Sequence, residues 1–205
     1  MQLLLVRHGE TAWSVTGQHT GLTDIPLTAN GYEQAAGAAN AARLLLGDEF
    51  ARASVFSSPL SRARITGESV VGPGRRIQVC EELLELDYGE YEGLTPAEIR
   101  HERPGWDIWT DGCPGGETVE AVGDRVDRFL QKIEDAPTNI AFAHGHVIRI
   151  LAARAVGLPA RSGQAFTLDT ATVSLIADVR GKRVIKMWNV DPRLLSDAAG
   201  SRAHD

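Results

Sequence analysis

Two histidine–glycine pairs are the chemistry-bearing features of this chain: Arg7-His8-Gly9 near its start, and His144-Gly145-His146 far downstream. Each follows a short apolar run. A third such run ends at Ser57-Ser58-Pro59 and leads into a segment bearing Arg62 and Arg64. A neutral imidazole is a competent nucleophile near pH 7, and arginine offers forked donors that match phosphate oxygens. Brought to one edge, two histidines and two or more arginines suit a phosphate monoester. Taken singly, each has a plainer reading as a hydrogen-bonded strand-end histidine or a solvated first-turn arginine. His144-x-His146 also has a reading as metal ligands, but no second ligand set has suitable spacing and no Asp-x-Asp marks a magnesium phosphatase. Neither Cys80 nor Cys113 is followed six residues later by arginine, as a thiolate phosphatase loop requires. Glycine-rich nucleotide loops are absent as well. Histidine is the nucleophile these residues favour, with no metal and no cofactor.

Such groups act together only if secondary structure delivers them to one place. Gln2 to Val6, Ser54-Val55-Phe56, Ile140 to Ala143 and Val173 to Ile176 are short continuous apolar runs, the pattern of strands buried on both faces. Between them the pattern is helical. Thr28 can cap a helix that runs to Leu46 and stops at Gly47. Ser58 and Pro59 read as the N-cap and first-turn pair of a helix through Val70. Val119, Val122, Val126, Phe129, Leu130 and Ile133 share one helical face. Val147 to Val156 is apolar enough to be a helix on a sheet, ending at Gly157. This alternation predicts an α/β fold: a three-layer sandwich with a mostly parallel sheet and helices on both faces. Arg180-Gly181-Lys182 predicts a hairpin joining the last two strands. Ligands of open α/β sheets bind beyond the carboxyl ends of the strands, where His8 and His144 fall.

Composition sets the outer bounds. The chain has 205 residues, 27 acidic against 21 basic side chains and a net charge of −6. That length fits a single domain over residues 1–205, which on folding buries roughly 70% of the extended-chain surface. The acidic balance argues against nucleic acid as a partner, and no apolar stretch approaches the ~20 residues that span a bilayer. Leu3-Leu4-Leu5-Val6 is too short for a signal-peptide core, and two cysteines cannot form a disulfide framework, so a cytoplasmic location is expected. Residues 94–116 read as a lid-like excursion over one end of the sheet. Trp106 and Trp109 either wall the cavity there or anchor the excursion itself. Residues 196–205 are small and polar and read as a frayed tail.

Leu5-Val6-Arg7-His8-Gly9-Glu10-Thr11 resembles the opening motif of the histidine phosphatase superfamily, also called phosphoglycerate mutase-like. Further motifs follow in the family's order: Thr20-Gly21-Leu22-Thr23-Asp24, Ser57-Ser58-Pro59-Leu60-Ser61-Arg62-Ala63, Glu85-Leu86-Asp87-Tyr88-Gly89-Glu90-Tyr91-Glu92-Gly93, and Ala143-His144-Gly145-His146 with Arg149. The resemblance spans nearly the whole chain. Within the family the chain is more similar to a phosphatase branch that includes actinobacterial acid phosphatases and fungal sedoheptulose-1,7-bisphosphatases. Mutases carry a longer loop with a lysine and an adjacent arginine pair, whereas Leu94 to Pro114 offers only Arg100 and Arg103.

The resemblance implies a role for each motif residue. His8 is the nucleophile that forms a phosphohistidine, with its other nitrogen held by a backbone carbonyl. Arg7, Arg62 and His144 grip the non-bridging oxygens, with His144 protonated so that the two histidines differ in charge. Glu85 protonates the leaving group and then activates water. Ser14, Thr20, Gly21, Tyr88, Gly145 and His146 are implied to contact substrate. Arg64 is implied to be a structural cation, and His19 and His101 receive no role. The implied activity is a metal-independent phosphomonoesterase acting on a small phosphorylated metabolite, and the resemblance also implies a homodimer. The alternatives are a bisphosphoglycerate-dependent phosphoglycerate mutase and a catalytically idle phosphate-ester-binding module.

Overall fold

Leu3 and Leu5 project to one side of the central sheet and Leu4 and Val6 to the other, and all four are fully shielded from solvent. Each such burial contributes roughly 1.5–3 kcal/mol, which is why an uninterrupted apolar run makes a central strand. The computed structural model describes residues 1–195, and the expected frayed tail at 196–205 lies outside the described residues. Six strands form the sheet: β1 (Gln2–Arg7), β2 (Ser54–Ser57), β3 (Gln78–Val79), β4 (Thr138–Ala143), β5 (Val173–Val179) and β6 (Lys182–Val190). Their order is β3-β2-β4-β1-β5-β6. The first four in that order are mutually parallel, while β5 runs antiparallel to both β1 and β6. Arg180 and Gly181 form the β5–β6 turn with positive φ at both positions, as the sequence predicts for this hairpin. The short edge strand β3 was not anticipated, because two exposed residues carry no periodic signal.

Helices cover both faces. The short α1 (Ala12–Thr16) follows β1, and α2 (Ala29–Leu46), α3 (Glu49–Arg52) and α4 (Ser61–Val71) build the layer against Leu4, Val6, Val55, Ile140 and Phe142. The helices α5 (Pro96–Glu102) and α6 (Ile108–Asp111) lie in the excursion, and α7 (Val119–Lys132) and α8 (Gly145–Ala155) build the opposite layer. Thr28 and Gly47 cap α2 as expected.

Two helix starts need correction. The helix expected from Ser58-Pro59 begins at Ser61, with Leu60 at the cap and no side-chain capping bond. The Ser58 hydroxyl is instead engaged by His144, and its backbone N–H donates to the Phe142 carbonyl at 2.9 Å. The next helix, expected from Val147, starts at Gly145, because Glu85 accepts from its first-turn N–H groups. Among the described residues no helix is long and apolar enough to cross a membrane.

Candidate active site

The parallel pairing of β1 with β4 sets Arg7 against Ala143, so the residues just beyond, His8 and His144, emerge side by side. Their ring centroids are 5.2 Å apart. The backbone of His8 is held at both ends: its N–H donates to Ala143 at 3.0 Å, and its carbonyl accepts from Ala171 at 3.0 Å. Gly9 is required sterically, since a Cβ there would lie 2.3 Å from the Gly31 carbonyl oxygen.

His8 donates from Nδ1 to the Gly9 carbonyl at 2.7 Å, so Nε2 is left without a proton and without a protein partner. Burial, followed by the charges of Arg7 and Arg62, holds its pKa well below the usual imidazole range. His144 departs from expectation. Its Nδ1 accepts from Arg62 Nε at 3.1 Å, which leaves Nε2–H to donate to Ser58 Oγ at 2.8 Å. Burial and then the Arg62 charge push its pKa well below the usual range too, so both histidines are neutral. A protonated His144 would put an N–H against the Arg62 N–H, and a second buried cation beside the first.

Arg62 is fully buried. Besides His144 it serves the carbonyls of Thr23 at 2.8 Å, Thr20 at 3.1 Å and Gly21 at 2.8 Å. Four of the five N–H donors of a guanidinium are thereby taken by protein acceptors. Arg62 and His144 are not among the residues bordering the cleft in front of His8; both are fully buried next to it and bonded to protein partners.

That cleft has a volume of about 240 Å³ and is bordered by Arg7, His8, Glu85, Tyr88, Gly145 and His146 among others. A larger opening of about 530 Å³ lies between Asn30 and Asn189, but histidine, arginine and carboxylate converge only in the smaller one. Arg7 donates from Nη1 to the Leu168 carbonyl, while its buried Nε has no partner. An unpaired buried guanidinium N–H bordering the same cleft as His8 is a ready anion contact. Glu85 is 4% exposed. Its Oε2 accepts from the His146 N–H at 3.0 Å, and its Oε1 from Val147 at 3.0 Å and Leu86 at 2.9 Å.

The expected substrate contacts divide. Thr20, Tyr88, Gly145, His146 and Ser14 all border the cleft. The Ser14 hydroxyl, however, donates to Thr11 O and accepts from Thr11 N in the capping box of α1. Gly21 stands apart from the cleft: its N–H is taken by Glu92 at 2.8 Å, and its carbonyl by Arg62. A Cβ at Gly21 would meet Glu92 at 2.6 Å and the Leu86 carbonyl at 2.7 Å, so packing explains this glycine. The Tyr88 hydroxyl and His146 Nδ1 are hydrogen-bonded at 2.7 Å. Arg64 is exposed and pairs with Glu68 at 3.8 Å, in keeping with a structural cation.

Two ionisable residues of the cleft, His19 and Arg149, lie outside the expected set. His19 is buried, stacks on Tyr88 at 4.4 Å and leaves Nε2 unpartnered. Its place directly before the Thr20-Gly21-Leu22-Thr23-Asp24 motif is the signal the sequence offers. Arg149 lies 4.6 Å over the Trp109 ring and is braced by the Gly163 carbonyl. Trp109 also packs 5.2 Å from His146, while Trp106 donates to Gly112 O within the excursion. Trp109 therefore backs the wall of the cleft, and Trp106 anchors the segment.

The family model described as the histidine phosphatase superfamily (branch 1) matches residues 3–191. The chain belongs to the histidine phosphatase superfamily. An acid phosphatase from Mycobacterium tuberculosis is 38% identical over 207 residues, covering 97% of each chain. A sedoheptulose 1,7-bisphosphatase from Saccharomyces cerevisiae is 36% identical over 185 residues, covering 76% of this chain and 67% of that one. The solved structure of an open reading frame from Mycobacterium tuberculosis superposes with a TM-score of 0.86 at 36% identity, covering 93% of this chain and 98% of that one. As a histidine phosphatase, the chain keeps Arg7, His8, Glu85 and Gly145 around one cleft, with Arg62 and His144 bonded to each other and buried outside its lining.

Proposed function

We propose that this histidine phosphatase is a metal-independent phosphomonoesterase, acid phosphatase in type, that hydrolyses a small phosphorylated metabolite such as a sugar phosphate. The carrying observation is the state of His8. With Nδ1–H committed to Gly9 and the ring neutral, the Nε2 lone pair is free to attack phosphorus in the cleft that Arg7, with its unpartnered Nε, also borders. Attack forms the N–P bond and breaks the ester P–O bond, and the leaving oxygen takes a proton from Glu85. Glu85 then removes a proton from water, which attacks the phosphohistidine and releases phosphate and neutral His8. Arg7 receives the non-bridging oxygens, and the Gly145 N–H at the start of α8 adds a helix N-terminal donor. Arg62 and His144 supply fixed positive charge and orientation. Because burial and the two arginines keep His8 neutral well below pH 6.5, the nucleophile remains competent in acid.

Hydrolysis is favoured over phosphoryl transfer between carbons of a glycerate by the two arginines of the excursion. Arg100 donates to the Trp106 carbonyl and Arg103 pairs with Asp111, and neither borders the cleft. Rapid quench with labelled substrate is expected to trap an acid-labile, alkali-stable phosphoenzyme that His8→Ala abolishes. Turnover that survives His8→Ala, or that a chelator stops, overturns the mechanism. With 3-phosphoglycerate and a bisphosphoglycerate primer, free phosphate is expected, and formation of 2-phosphoglycerate would assign mutase activity instead.

A further inference from the structure

Glu85 sits in a stretch without regular secondary structure, between the 3-10 turn Glu81–Leu83 and the turn Gly89–Tyr91. No sheet ladder holds its backbone, yet a general acid must meet its leaving oxygen to within a fraction of an ångström. The α8 N–H groups hold the carboxyl end of the side chain. The backbone end is held from the opposite side, by α7.

Arg125 is 8% exposed and lies on the buried face of α7, among Val122, Val126 and Phe129. Its Nη1 donates to the carbonyls of Glu82 at 2.9 Å and Leu84 at 2.7 Å. Its Nη2 donates to the carbonyl of Glu85 itself at 3.1 Å. The other edge of the guanidinium forks onto Glu117, with Nε and Nη2 each 2.9 Å from a carboxylate oxygen. Glu117 then closes the far side: its Oε2 accepts from the Asp87 N–H at 3.1 Å, and its own N–H donates to the Asp87 carbonyl at 2.9 Å. Burial would push the Glu117 carboxyl up, but the bonds from Arg125 and Asp87 hold it below the usual range, so it stays an acceptor. Neither residue borders the catalytic cleft.

We propose that Arg125 and Glu117 are positioning residues for Glu85, a clasp that fixes the backbone on both sides of the general acid and thereby sets the geometry of proton transfer to the leaving group. The proposal rests on the reading of Glu85 as that acid. It makes a demand that a purely structural ion pair does not. Loosening the clasp must hurt esters whose leaving group needs a proton and spare those whose leaving group does not.

The test compares kcat/KM for a simple alkyl phosphate and for p-nitrophenyl phosphate, whose phenolate leaves unassisted. Arg125→Lys keeps the charge but cannot serve three carbonyls and a carboxylate fork, and Glu117→Gln loses one arm of that fork. Both are expected to lower kcat/KM for the alkyl ester by about 10- to 100-fold and for the aryl ester by less than about 3-fold. Arg154→Lys is the control, because Arg154, on α8, pairs with Asp127 of α7 away from the cleft, so its replacement should lower both esters equally or neither. Glu85→Gln reports the underlying reading and should show the same ester dependence, more strongly. If Glu85→Gln is selective but Arg125→Lys and Glu117→Gln are not, the clasp is overturned and the acid stands. If Glu85→Gln itself affects both esters alike, the acid assignment fails and the clasp falls with it.

Discussion

Arg62 Nε donates to His144 Nδ1 at 3.1 Å, and this bond decides the charge state of the second histidine. An acceptor nitrogen carries no proton, so His144 is the neutral Nε2–H tautomer, with Ser58 Oγ as its outlet. The same guanidinium gathers the carbonyls of residues 20, 21 and 23, which ties the loop before α2 to His144.

Arg62→Lys is expected to destabilise the fold by about 3 kcal/mol in urea unfolding, because a lysine amine leaves several of these buried acceptors unpaired. It should also lower kcat/KM by at least about 100-fold. Nitrogen-15 NMR of the unmodified protein should show His144 protonated at Nε2 alone. An imidazolium signature at pH 7 would refute the assignment.

Gly9→Ala is expected to cost about 3 kcal/mol and to disturb the Gly9 carbonyl that orients His8. The clash is with the Gly31 carbonyl, a backbone atom that cannot swing aside as a side-chain tip could. Unfolding midpoint and phosphoenzyme yield together check it, and a variant with both unchanged contradicts the steric argument.

Stability should fall in mild acid. His8, His19, His144 and His146 are all depressed below the usual imidazole range, chiefly by burial. The unfolded chain takes up protons that the folded protein refuses, so stability is fully present above about pH 6.5 and is lost as pH falls toward the folded values. For His19, pushed down to about 4 by burial and then by Arg100, the loss is on the order of 2 kcal/mol by pH 5. Urea midpoints from about pH 7.5 to 5 measure the slope, and His19→Asn should flatten it. An identical slope in that variant would remove His19 from the account.

Arg149 should discriminate between substrates. Its guanidinium is braced by the Gly163 and Gln164 carbonyls and the Trp109 ring at one side of the cleft. Arg149→Met is expected to raise KM about 10-fold for esters bearing a second anionic group, with little change for a monoester of a neutral alcohol. Equal effects on both classes would place the guanidinium outside the substrate's reach.

Much of this is legible in the amino-acid sequence. Continuous apolar runs marked β1, β2, β4 and β5, and Thr28 and Gly47 bounded α2, because each signal is local to a few residues. Arg7, His8 and His144 are legible for the same reason, since each lies where an apolar run ends, whereas Glu85 is legible only as the first residue of a motif that resembles the family's. Errors arose where a local signal competed with a distant partner. Ser58 has the chemistry of an N-cap, but its hydroxyl belongs to His144, and the helix begins three residues later at Ser61. Gly21 has the look of a phosphate-contacting backbone, but Glu92 occupies its N–H.

The sequence by itself determined the class of fold, the family and several of the groups at the cleft, because apolar period, caps and motif residues are properties of contiguous segments. Only the tertiary structure decided how those groups are charged and aimed. That His144 is neutral follows from Arg62, that Glu85 is held on two sides follows from α7 and α8, and that His19 joins the cleft follows from its stacking on Tyr88. Protonation and orientation depend on burial and on partners tens of residues away, and those are set only when the sheet brings the strand ends together.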